Sequence, residues 1–194
     1  MLELALSLFD YLIKFLEKRE ANIDEYFSLY IQPAYDVAEK VFADYWELLH
    51  SIRRMILIGN NIDELINFLE DGRTKYQPLR IRLRTEIKER FKYEYLTELP
   101  LFERGILGIL MGGVAPFNDE RRNYTVYIHG EHTLLDLTRV FHSYYKEGEK
   151  RENYLRTIDE QMNALEAAWN DVVKGYAEYK LIVVPSLSKP KKKS

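Results

Sequence analysis

The sequence predicts an all-α, single-domain bundle of six or seven helices, with room for one small two-stranded β element. Three observations carry that prediction. Apolar residues recur every three or four positions along most of the chain, the spacing that lines one face of a helix. Helix start and stop signals fall between those periodic stretches. The 194 residues, 46% of them hydrophobic, are enough to bury one sizeable core without metal or disulfide.

The first stretch sets Leu2, Leu6, Phe9, Ile13 and Leu16 on one helix face. Leu4, Leu8, Tyr11, Leu12 and Phe15 cover most of the rest, leaving one narrow polar stripe of Glu3, Ser7, Asp10, Lys14 and Glu17. A helix apolar around most of its girth needs covering on several sides, by its own bundle, a second subunit or lipid. Leu2, Leu6, Phe9, Ile13 and Leu16 are therefore the expected interface residues.

Asn22 with Glu25 resembles a capping box, so a second helix should begin near Ile23. Pro33 lacks an N–H and crowds the preceding turn, which predicts one kinked helix or two helices over 23–58. Val37, Val41, Tyr45, Leu48, Ile52 and Met55 form its periodic face, and Gly59 supplies a stop. Asn61 with Glu64 repeats the cap logic for a short helix over 62–70, closed by Gly72. Pro78 fits the first position of a helix carrying Leu79, Leu83, Ile87 and Phe91. Residues 79–84 also alternate like a strand, but the continued helical spacing favours helix.

The glycine-rich, apolar stretch 99–117 predicts a buried short helix followed by a turn at Pro116. Residues 124–128 are rich in β-formers. A helix over about 133–147 should turn Leu134, Leu137, Phe141 and Tyr144 inward. Leu155, Ile158, Met162, Leu165, Trp169, Val172, Tyr176 and Tyr179 then keep an alternating three-four spacing without a miss. Residues 181–184 look β-like and could pair with 124–128. Residues 1–186 read as one domain, and 187–194 as a disordered lysine-rich tail.

Charge is segregated. Residues 1–72 hold 6 basic against 14 acidic side chains, 73–92 hold 8 against 2, and 189–194 add four lysines, within an overall net charge of −3. On a helix Arg80, Arg84 and Lys88 stack into a stripe able to follow phosphates, which makes 73–92 a candidate nucleic-acid-binding helix. The alternative is that this basic face binds the acidic surface of residues 1–72 or of a partner subunit.

Catalytic signatures are missing from the sequence. No phosphate-cradling loop or dinucleotide fingerprint occurs, and none of the seven serines sits in a nucleophile elbow. The absence of cysteine removes thiolate chemistry. His129, His132 and His142 cluster within 14 residues beside Glu131 and Asp136, making His129 and His132 candidate metal ligands, although the spacing matches no zinc signature. These features lean away from an enzyme and imply no cofactor. They favour a non-enzymatic interaction or assembly protein, with nucleic-acid binding as the alternative and protein as the expected partner. The longest apolar run, 12 residues, falls short of the roughly 20 that span a bilayer, leaving peripheral membrane contact open. The acidic residue in the opening Met-Leu-Glu, where a secretory signal carries positive charge, gives the expectation of a cytoplasmic chain.

Overall fold

The computed structural model describes residues 2–17, 23–59, 62–75, 99–110 and 150–187, together with 78, 81, 82, 85, 137, 140–143 and 145. Helix α1 spans Leu2–Glu17, with Glu3 in its first turn and Lys14 in its last, charges that complement the helix dipole. A short α2, Ile23–Tyr26, passes through a π turn, Phe27–Ile31, into α3, Gln32–Ile58. Helix α4 is Ile62–Lys75, α5 is Leu101–Leu110 and α6 is Arg151–Leu187. The described residues contain no strand and form an all-α bundle.

The π turn resolves what the sequence left as a kink or a break. Gln32 N–H reaches back to the Phe27 carbonyl, one residue further than in an α-helix. Pro33 then enters the first turn of α3, where its missing N–H and bulky ring are tolerated, and the helix continues. At the other end Gly59 adopts the left-handed conformation, φ 80°, and its N–H closes on the Ile56 and Met55 carbonyls. That is the stop expected there.

Two boundaries differ from the sequence expectation. Gly72 does not close α4, which runs three residues further to Lys75. A glycine ends a helix by turning left-handed; inside one it only weakens it, by about 1 kcal/mol relative to alanine. Residues 181–184 are not a strand but part of α6. Val183 continues the three-four spacing of Val172, Tyr176 and Tyr179 and is 5% exposed, whereas Leu181 and Ile182 face solvent. Burial of one periodic face outweighs β propensity. Residues 124–128, the proposed partner strand, lie outside the described residues, as do 188–194. Pro78, Ile81, Arg82 and Thr85 are all helical, in favour of helix over strand there.

Helix α6, about 55 Å long, is the spine. It packs against α5 and α3, and α1 packs against α3 and α5. Its core face is Ile158, Met162, Leu165, Ala168 and Val172. The face of α3 is Ala34, Ala38, Val41, Tyr45, Leu49, Ile52 and Ile56, and that of α1 is Ala5, Leu8, Phe9, Leu12 and Phe15. Leu137 and Phe141 are buried as expected, and Phe141 meets Tyr154 at 5.0 Å.

The α5–α6 crossing is unusually close. A Cβ added at Gly105 would lie 2.5 Å from the Val172 nitrogen and 2.7 Å from the Ala168 carbonyl oxygen. One added at Gly175 would strike the backbone of Phe102. Two glycines facing opposite ways thus let the helices touch backbone to backbone. The crossing is also tied by polar contacts. Arg104 Nε donates to Asp171 at 2.9 Å, and the Tyr179 hydroxyl donates to the buried carboxylate of Glu103 at 2.9 Å.

Candidate interaction surface

Helices α3 and α6 run antiparallel, since Gln32 meets Tyr176, Phe42 meets Trp169 and Arg53 meets Asp159. Their core faces turn toward α1 and α5. One step round each helix lies a second row, Tyr35, Phe42 and Trp46 on α3 and Trp169 and Tyr176 on α6. These five side chains, with Phe27 from the π turn, are half-buried. Spacings of seven and four on α3, and of seven on α6, keep each row on one face.

The two rows interleave into a continuous seam. Phe27 meets Tyr176 at 5.6 Å, Tyr176 stacks on Tyr35 at 4.2 Å, and Tyr35 meets Trp169 at 5.5 Å. Trp169 stacks on Phe42 at 5.1 Å with planes 14° apart, Phe42 stacks on Trp46 at 5.6 Å, and the exposed His50 closes the row edge-on at 5.1 Å. Ring pairs of this geometry add about 0.5–1.5 kcal/mol beyond their area. The seam is therefore held by ring-to-ring contact as well as by apolar area.

One end of the seam is polar. The Tyr176 hydroxyl donates to Gln32 Oε1, and Gln32 Nε2 donates to Asp36 Oδ1 at 2.9 Å. Burial pushes the Tyr35 hydroxyl above its ordinary pKa of 10.0, and the negative charge of Glu39 adds to that. Burial likewise raises Tyr176, helped by Asp36. The folded chain holds these phenolic protons to higher pH than the unfolded chain does. Their contribution to stability is complete below pH 10 and is lost as pH rises through the folded-state values. Melting temperature should fall on the alkaline side of pH 10, and the fall should be shallower in Tyr176→Phe, a comparison made by calorimetry across that range.

The residues singled out in the sequence are dispersed. Of the expected interface stripe, Phe9 is fully buried in the chain's own core, while Leu2, Leu6 and Ile13 are half-buried against it. The Leu16 side chain lies outside the described residues. In the basic segment, the partly exposed Arg82 turns toward α1. Its guanidinium pairs with Asp10 of α1 at 2.5 Å and sits 4.9 Å over the Phe9 ring. Arg80, Arg84 and Lys88 lie outside the described residues. So do His129 and His132, whereas His142 contacts Glu70 of α4 at 3.1 Å. Among the described residues no three potential ligands are placed to hold a metal ion, and no helix is long and apolar enough to cross a membrane. No protein family, curated protein or solved structure matches this chain.

The aromatic seam is what sequence reasoning missed. Tyr35, Phe42 and Trp46 share a helix face adjacent to the stripe that the periodicity marks as core, and that second row is the available signal. Its pairing across to Trp169 and Tyr176 required knowing which helices are neighbours.

Proposed function

We propose that this chain is a non-enzymatic assembly protein that associates with a second copy of itself, using the half-buried aromatic seam of α3 and α6 as its docking surface. The observation that carries this reading is the seam itself: six half-buried aromatic rings in one row on the flank of the bundle. Aromatic side chains are enriched at the centres of protein interfaces, where a rigid ring loses little conformational freedom on docking. The proposal takes the cytoplasm as its setting.

Light scattering over a range of concentrations tests it. The wild-type chain should reach twice its monomer mass, and Phe42→Lys, with helicity unchanged by circular dichroism, should remain at monomer mass. A wild-type monomer throughout, or a Phe42→Lys variant that associates as well as wild type, would overturn the reading.

A second reading is nucleic-acid binding through the basic segment 73–92, favoured by its excess of six positive charges. It predicts affinity that falls steeply with salt and with Arg80, Arg84 and Lys88 changed to glutamine, measured by fluorescence anisotropy. Undetectable or salt-insensitive binding would discard it.

A further inference from the structure

We propose that the occupant of the seam is the lysine-rich stretch Lys189-Pro190-Lys191-Lys192-Lys193 of a second copy, so that two chains clasp one another reciprocally. This rests on the assembly reading above and adds to it the segment that fills the surface.

The rim of the seam is acidic. Asp36 and Glu39 on α3 and Glu166 on α6 are exposed. Glu39 falls four residues after Tyr35 and three before Phe42, and Glu166 three before Trp169, spacings that set these carboxylates beside the rings. Lys40 and Lys174 each lie five residues beyond a seam ring, about 140° round the helix from it. At one end Arg53 is already neutralised by Asp159 at 2.7 Å. At the other, Lys180 places its ammonium 5.9 Å over the Tyr176 ring, so a cation already rests on this surface.

The chain uses the same chemistry elsewhere. Arg82 is held between a carboxylate, Asp10, and a ring face, Phe9. Attraction of a cation to a ring, reinforced by a neighbouring carboxylate, is a general recognition device. The seam repeats the pairing at Tyr35, Phe42 and Trp169, and Lys189, Lys191, Lys192 and Lys193 supply four cations with no acid among residues 188–194.

Reach sets how much of the seam a chain's own lysines can cover. Leu187 ends α6, and Trp169 lies 18 residues back along that helix, ~27 Å away. Trp46 is four residues past Phe42 on α3, ~6 Å further. From Leu187 to Lys193 the chain can extend at most ~20 Å. A chain's own lysines can come level with Tyr176, ~16 Å back from Leu187, but stop short of Glu166, ~31 Å back, and of the Trp46 end, so a clasp along the whole seam takes a second copy.

Mixing two defective variants tests the clasp. One carries Lys189, Lys191, Lys192 and Lys193 changed to glutamine; the other carries Glu39→Lys with Glu166→Lys, both at exposed positions. Each alone should lose self-association by more than about tenfold, as read by light scattering, while an equimolar mixture should recover a dimer through the one remaining clasp, weakened by salt. If the glutamine variant associates like wild type, the lysines are not the occupant, although assembly itself stands. If the Glu→Lys variant associates like wild type, or the mixture stays monomeric while wild type dimerises, the clasp is overturned. A monomeric wild type removes the assembly reading and this one together.

Discussion

Gly105→Ala is expected to cost roughly 3 kcal/mol or more and to lower the melting temperature by about 6–12 °C. The added methyl meets the Val172 nitrogen at 2.5 Å and the Ala168 oxygen at 2.7 Å, and both are backbone atoms of a rigid helix. No rotamer change relieves such a contact; α5 must move away from α6. Gly175→Ala produces the same clash from the other side, against the Phe102 backbone. Because both act on one crossing, the double variant should be less destabilised than the sum of the singles. Gly59→Ala is the control. Nothing lies within 4 Å of its Cβ, so only the left-handed backbone at φ 80° opposes it, at about 1 kcal/mol. Thermal denaturation of the three variants separates steric from conformational cost, and a Gly105→Ala protein as stable as wild type would refute the close crossing.

Phe15→Ala is expected to be as damaging, about 3–5 kcal/mol. Its ring is 1% exposed and meets Tyr26 at 6.0 Å and Phe102 at 5.8 Å, so one side chain joins α1 to α2 and α5. Removing it leaves a cavity where three helices converge. Leu6→Ala, at a half-buried position on the expected interface stripe, should cost clearly less. Chemical denaturation of the two variants therefore reports which face of α1 the fold uses. A larger loss at Leu6 than at Phe15 would mean that the buried face has been misassigned.

That contrast explains how much of the fold was legible in the sequence. The alternation from Leu155 to Tyr179 marks a helix, and α6 is one, although only Ile158, Met162, Leu165 and Val172 of that stripe are buried. On α1 periodicity was ambiguous. With apolar residues on most sides, the stripe Leu2, Leu6, Phe9, Ile13 and Leu16 was as regular as the face actually buried, Ala5, Leu8, Phe9, Leu12 and Phe15. Ala5 is nonetheless part of that core, fully buried, although its small side chain ranks below Leu6 in hydrophobicity. Ala34 and Ala38 similarly turn the core face of α3 aside from Val37 and Leu48, which are half-buried.

The candidate surface was less legible for a related reason. Trp169 and Tyr176 were visible as bulky members of the α6 stripe, but their partial exposure depends on Tyr35 and Phe42 lying opposite. No local pattern specifies that antiparallel neighbour. Gly105 and Gly175 were likewise visible as glycines, while their facing arrangement across α5 and α6 is a property of the assembled bundle. In the basic segment, charge counting alone could not separate a phosphate-binding stripe from an internal docking face, and Arg82 on Asp10 shows at least one cation used internally.

The central claim, that the α3–α6 seam is the surface this chain uses to associate, is tested most directly by its own tryptophans. Trp46 and Trp169 are the only two in the sequence, and both lie in the seam. Tryptophan emission recorded alongside scattering mass as concentration rises should shift to shorter wavelength in step with dimer formation, as the half-buried rings lose their remaining water. A mass that doubles while the emission stays unchanged would contradict the claim.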